Sequence, residues 1–275
     1  NKLNLFMLKI NSNEFDYDLL EEMLIDPVID YSISRQVKEK YKNRPGTLSK
    51  KARDKFVEYT RNNGELGELL LFCFLETHLG APKILTKLEL KTSTSHYVNG
   101  ADGVHFLKLP DGNYQLIFGE SKTYKEIGKA INDAFKSIYG FKNGINNKGN
   151  RKSGIQYEKS LISDNLFKES FSKEERAFLE SLIYPTPNRN FDVDDAFGIF
   201  LGFQIEISDD EKCLPTADFR RLIRARVDGE VSKYFKTIQK KIIENKLQGH
   251  NFYIYVLPFT DIESKRKKIV EAITK

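Results

Sequence analysis

Asp102, Glu120 and Lys122 are the residues whose types and spacing could do chemistry. They lie in two strand-like runs, Asn99-Gly-Ala-Asp-Gly-Val-His-Phe106 and Tyr114-Gln-Leu-Ile-Phe-Gly-Glu-Ser-Lys122, which flank a Pro110-Asp111-Gly112-Asn113 turn. A strand alternates its side chains with period two, so Glu120 and Lys122 share a face, and a hairpin brings Asp102 beside them. Two carboxylates with an ammonium at their edge suit a hard divalent cation and a phosphodiester. The cation makes water acidic and polarises a phosphoryl oxygen. Its ligands would be Asp102, Glu120 and the main-chain carbonyl of Ser121. Lys122 would orient the attacking water and oppose the developing negative charge.

This scheme sets a condition on the hairpin. A two-residue turn at Asp111-Gly112 places residue 102 opposite 121, on the wrong face for Glu120. A three-residue loop at 110–112 pairs 109 with 113 and sets Asp102 opposite Glu120. A one-residue bulge at Gly103 or Gly119 does the same. One of these irregularities is expected.

A third acid is expected from the helix before the strands. In Gly64-Glu-Leu-Gly-Glu-Leu-Leu-Leu71, Glu65 and Glu68 share a face. A carboxylate in so apolar a helix needs a cation or a donor. Glu68, beside the most apolar stretch, is favoured as a metal-facing or water-bridged catalytic acid, with Glu65 the alternate.

The elements that must position these groups follow from hydrophobic period and breakers. Residues 3–10 read as a strand and 17–25 as a short helix stopped by Pro27. Residues 28–46 are mixed. From Leu48 to Leu79 the pattern is helical with a break at 62–64, and the stretch from Leu69 to Leu75 is apolar enough to be buried. Residues 84–98 are strand-like. After the hairpin strands, 124–140 form an amphipathic helix carrying Ile127, Ala130, Ile131, Ala134, Phe135 and Ile138 on one face. A polar loop at 141–154 is followed by helices over 155–167 and 171–184. A strand at 196–207, a helical region at 215–247, a strand at 252–257 and a basic helix at 261–274 complete the chain. The fold class is therefore α/β, a mixed sheet covered by helices. The chain reads as a single domain, 1–275, with an N-terminal accessory part (1–62), a catalytic core (63–140) and a sheet-completing C-terminal part (195–275).

Composition sets outer limits. The 275 residues carry 40% hydrophobic and 30% charged residues, with 44 Lys+Arg against 39 Asp+Glu for a net +5. That length buries a sizeable core. The two cysteines give no disulfide framework, and neither a signal peptide nor a membrane-length apolar run is seen, so a cytoplasmic location and no membrane partner are expected. A Gly-x4-Gly-Lys-Ser/Thr loop is absent, so no ATP motor of that type is read here.

Asp102 followed by Glu120-x-Lys122 at the next strand's end, with Gly64-Glu65 on the preceding helix, resembles the PD-(D/E)XK nuclease superfamily. That core runs helix, three antiparallel strands, helix, strand. Ala101 stands where the family name has proline. More narrowly, Gly100-Ala-Asp-Gly-Val-His-Phe106 with Phe118-Gly-Glu-Ser-Lys122 is similar to HamA, the nuclease family of the Hachiman anti-phage defence system. The resemblance implies a PD-(D/E)XK restriction-endonuclease-like fold with added terminal elements. It implies Mg²⁺ or Mn²⁺ held by Asp102 and Glu120, with Lys122 catalytic and Glu68 as the helix acid. It also implies DNA as substrate and a superfamily-2 helicase of the HamB type as partner.

The remaining charged groups carry weaker expectations. His105 reads as a packed histidine, and His78, His96 and His250 show no metal-ligand spacing. Residues 141–160 hold five cations, Lys142, Lys148, Arg151, Lys152 and Lys159, against Glu158 alone. Beside a nuclease site, Lys125, Lys148, Arg151 and Lys152 are candidate DNA contacts. Tyr124 at the helix start either meets a phosphate or is an ordinary first-turn residue. Arg220, Arg221, Arg224 and Arg226 could serve DNA, a protein partner or internal pairs, and Lys265-Arg-Lys-Lys268 reads as a solvated face. A stand-alone restriction- or repair-type endonuclease, or a non-catalytic binding module with the same fold, are the competing functions.

Overall fold

The computed structural model describes residues 2–59, 64–86, 88, 100–145, 154–168, 170, 172–187 and 189–275. In chain order, β1 (Lys2–Leu5) leads into a small hairpin, β2 (Ile10–Asn11) and β3 (Glu14–Phe15). Helices α1 (Tyr17–Leu24), α2 (Pro27–Ser32), α3 (Arg35–Tyr41), α4 (Pro45–Tyr59) and α5 (Glu65–Cys73) follow. Then come β4 (Lys83–Thr86), β5 (Gly103–Lys108), β6 (Tyr114–Thr123), α6 (Ile127–Asn143), α7 (Ile155–Asn165), α8 (Lys173–Ile183) and β7 (Val193–Gln204). The chain continues through α9 (Asp209–Lys212), α10 (Thr216–Ser232), α11 (Phe235–Glu244), β8 (Phe252–Phe259) and α12 (Ile262–Thr274).

Six strands form one mixed sheet in the order β1-β8-β7-β6-β5-β4. β5 runs antiparallel to both its neighbours, β4 and β6, whereas β6, β7, β8 and β1 run parallel. The four parallel strands therefore end on one side of the molecule, and Glu120 and Lys122 lie at that end of β6. In open sheets of this kind ligands sit outside the carboxyl ends of the strands.

Two helices clamp the sheet around β6. α5 is buried along nearly its whole circumference, from Glu65 to Phe72. It approaches closely because Gly67 has no side chain: a Cβ there would stand 2.3 Å from Ser121 Oγ and 2.9 Å from Thr123 Oγ1. On the opposite face, α6 buries the apolar set expected from its period, and Phe141 meets Phe118 of β6 with ring centroids 5.2 Å apart. Glu120 and Lys122 alternate in step with Phe118, so they belong to the α6 face, while Ser121 and Thr123 belong to the α5 face.

Several boundaries differ from the expected ones. The first strand ends at Leu5, and farther on Ser12 and Asn13 adopt positive φ in the turn of the β2–β3 hairpin. The mixed segment 28–46 resolves into α2, α3 and the start of α4. Pro27, which ends α1, is also the first residue of α2, where its missing N–H costs nothing. The helix after the hairpin starts at Ile127 and runs to Asn143, where Gly144 at φ 62° caps it in the left-handed conformation. The 215–247 region breaks at Lys233–Tyr234 into α10 and α11. Only Lys83–Thr86 of the 84–98 region and its flank is a described strand, and residues 89–99 and 146–153 lie outside the described residues.

Candidate active site

The hairpin closes with the odd-numbered loop that was expected. Val104 pairs with Phe118 and Lys108 with Tyr114, and Leu109 N–H donates to the Asn113 carbonyl at 2.8 Å. The loop is thus three residues, 110–112, with Gly112 at φ 91°. Continued past Val104, this register sets Asp102 opposite Glu120. β5 is shorter than β6, however, and stops at Gly103. Asp102 N–H donates to the Gly119 carbonyl at 2.9 Å, one residue off the ladder. Its carboxylate then turns along the sheet edge and accepts the Ser121 N–H at 2.7 Å. That N–H would otherwise look for a backbone carbonyl that β5 no longer supplies.

Lys122 Nζ hydrogen-bonds the Glu120 carboxylate and lies 3.3 Å from the Ser121 carbonyl oxygen. Two oxygens expected to ligate metal therefore already converge on one cation. Burial pulls the Lys122 pKa down, but the charges of Glu120 and Asp102, with the hydrogen bond to Glu120, outweigh it and hold the ammonium above the usual lysine range. The Glu120 and Lys122 side chains keep 13% and 23% exposure, enough to be reached from solvent.

Glu68 sits on the other side of this edge. Tyr31 of α2 donates its hydroxyl proton to Glu68 Oε2 at 2.9 Å. Burial and the carboxylate charges of Glu68, Asp102 and Glu65 hold the Tyr31 phenol well above its usual range. Glu65 turns back to accept the Gly64 N–H at 3.0 Å. Among the described residues no group of three or more His, Cys, Asp and Glu side chains stands ready to hold a metal. The candidate donors are the two carboxylates of Asp102 and Glu120 and the Ser121 carbonyl. All are hard oxygens, which fit Mg²⁺ or Mn²⁺ with water completing the shell.

The site opens on a cleft of about 670 Å³ at the carboxyl end of β6. Lys122 and Lys125 line it, together with Lys129 of α6 and Arg266 of α12. No pattern of spacing singled out Lys129, and Arg266 falls in a run read as a solvated face. The rest of that run is at the surface: Lys265 lies 4.7 Å from the Tyr17 ring centroid, and Lys268 pairs with Asp18 at 3.8 Å. Tyr124, hydrogen-bonded to Asp133, also lines the cleft.

A family model described as HamA matches residues 1–273 of this sequence. The chain belongs to the HamA family. It is accordingly a component of the Hachiman defence system, which implies a partner within that system. No curated protein matches the chain.

In this HamA member the other flagged residues fall into place as packing. His105 is buried, with Nδ1 2.8 Å from the Ala81 carbonyl oxygen. His78 packs edge-on against Phe6 and Tyr255, and His250 Nδ1 lies 2.8 Å from the Asp195 carbonyl. His96 lies outside the described residues, as do Lys148, Arg151 and Lys152. Lys142 and Lys159, counted with that basic segment, are tied elsewhere. Lys142 donates to the Lys246 carbonyl at 2.7 Å, and Lys159 pairs with Asp195 at 2.9 Å. Arg220 donates to the Ile10 carbonyl, Arg221 to Asp218 and Arg226 to Glu211. Cys73 and Cys213 are both free thiols. Among the described residues no helix is long and apolar enough to cross a membrane.

Proposed function

We propose that this chain is a metal-dependent deoxyribonuclease and acts as the effector subunit beside a superfamily-2 helicase in Hachiman defence. The observation that carries the reading is the convergence of Glu120, the Ser121 carbonyl and Lys122 at the strand end where Asp102 caps β6. Asp102, Glu120 and the Ser121 carbonyl would hold Mg²⁺ or Mn²⁺. When bound, such an ion supplies an acidic water and a polarised phosphoryl oxygen. Lys122 keeps its proton throughout the neutral range, because two carboxylates hold it there. Its ammonium offers a fixed positive charge to the phosphate as negative charge grows. Asp102 holds the end of β6 in place through the Ser121 N–H, so one side chain serves both ligation and positioning. Glu68, oriented by Tyr31, would act through water rather than as a direct ligand.

The test is plasmid cleavage with Mg²⁺ or Mn²⁺ by the chain alone and with a HamB-type helicase. Asp102→Asn and Lys122→Ala are run in parallel. Loss of cleavage in both variants, with Mn²⁺ binding lost in Asp102→Asn, supports the reading. Equal nicking by wild type and both variants overturns it. Recovery of a large ATPase in fixed ratio from native lysate supports the partner, and its absence favours a stand-alone endonuclease.

A further inference from the structure

The cleft beside the site has a composition that active-site chemistry alone does not require. Four of its lining residues are cations, Lys122, Lys125, Lys129 and Arg266, and two are acids, Glu126 and Glu263. Ser121 and Lys122 belong to both the cleft and the metal-ligand edge, so the two are continuous. The cations come from three separate elements: the end of β6 and the residues just after it, the first turn of α6, and α12. Such convergence makes a local positive potential that a scattered surface charge does not.

The positions are held. Tyr124 is fixed by Asp133, and Lys129 Nζ lies 4.8 Å from the Tyr124 ring centroid. Lys125 is anchored through its carbonyl, which accepts the Gln204 N–H at 3.1 Å. α12 is anchored at its start, where Ile262 N–H donates to Gln204 Oε1 at 3.1 Å. Gln204 therefore ties both walls of the cleft together from the end of β7. Neither α6 nor α12 has a side-chain N-cap, and both begin at the cleft, which adds a modest preference for anions to that of the cations.

We propose that Lys129 and Arg266 contact backbone phosphates of the DNA strand next to the bond being cut, so that the C-terminal helix α12 forms one wall of the substrate track. This rests on the nuclease reading for the identity of the ligand. The ligand class follows from the chemistry: a repeating monoanion passing along a cationic cleft whose inner end is a divalent-cation site. Contacts of this kind position a strand without reading its sequence.

The experiment measures binding of the full chain to fluorescein-labelled duplex and single-stranded DNA by anisotropy in EDTA, over a salt series. Each lost phosphate contact lowers the slope of log K against log salt by about 0.7 to 0.9. Lys129→Ala and Arg266→Ala are each expected to lower the slope by that amount, and Arg266→Lys to restore most of it. Lys267→Ala, on the same helix but outside the cleft, is expected to leave the slope unchanged. Inorganic phosphate binding is measured separately by calorimetry, and a cleft that takes only the free ion binds phosphate while both alanine variants leave the DNA slope unchanged. That result, an unchanged slope in both alanine variants, an equal fall in Lys267→Ala, or no DNA binding by wild type each overturns the proposal. Cleavage in Mn²⁺ is scored separately. Intact cleavage with unchanged slopes removes the track and leaves the nuclease, whereas altered slopes without any cleavage even when the helicase is present keep the DNA contacts and remove the nuclease. Circular dichroism melts exclude unfolding as the cause.

Discussion

Tyr31 and Glu68 are joined by a 2.9 Å hydrogen bond that runs from α2 to α5 and places a neutral phenol against a buried carboxylate. The ring is held edge-on between Phe56 and Phe72, and the Tyr31 carbonyl accepts the Thr86 hydroxyl at 2.9 Å. The N-terminal helices thus reach the candidate site's edge through the Tyr31 side chain.

Tyr31→Phe keeps the ring and removes the donor. A buried acceptor that loses its partner costs about 1–3 kcal/mol. A fall of that size in unfolding free energy by urea denaturation is expected. A change under roughly 0.5 kcal/mol would show that the other surroundings of Glu68 already satisfy it.

Gly67→Ala drives a methyl into Ser121 Oγ and Thr123 Oγ1, on the strand residues that flank Lys122. Overpacking of this kind costs about 1–3 kcal/mol. Ser121→Ala removes the nearer obstacle and is expected to recover part of the loss. A double-mutant cycle on thermal stability reads the coupling, and strict additivity would show that α5 moves away as a rigid body.

Lys122→Ala removes the ammonium that faces Glu120, with an expected fall in cleavage rate of about 10²- to 10³-fold, the size found when one preorganised donor to a developing anion is lost. Lys122→Arg retains the charge on a planar fork that does not match the Glu120 and Ser121 oxygens, so it restores little. Full activity in Lys122→Arg would mean that charge alone matters there.

Burial, reinforced by the nearby Glu76 carboxylate, pushes the Cys73 thiol from its usual 9.0 up to about 12. Cys213 is exposed. Near neutral pH a disulfide reagent should therefore titrate one thiol per native chain and the second only on unfolding. The raised value also sets a direction. The folded chain holds this proton more tightly than the unfolded one, so its contribution to stability is complete below pH 9 and is lost as pH rises toward 12. Cys73→Ala should flatten that part of the stability curve.

The sequence carried the hairpin because register is a counting problem. Once Asp102 and Glu120 had to share a site, only an odd loop or a bulge was allowed, and the loop of three is what forms. α6 was legible because its apolar period repeats for three turns. Tyr31 was not, since nothing local to residues 27–32 reports a partner 37 positions away. Arg266 was hidden for a different reason. In a run of four cations each looks solvated, and only the placement of α12 across the end of β6 separates the one that lines the cleft from its neighbours. The short helices of 28–46 lack the length that makes a period visible.

β1 lies beside β8, with Lys2 paired to Tyr253. A ribosome-bound chain cannot make that pairing until the sheet's innermost strands have emerged, and contacts so distant along the chain form slowly. Arg266 is translated later still. Were the chain the nuclease proposed above, the cleft wall that carries Arg266 would form only after every strand of the sheet has been made.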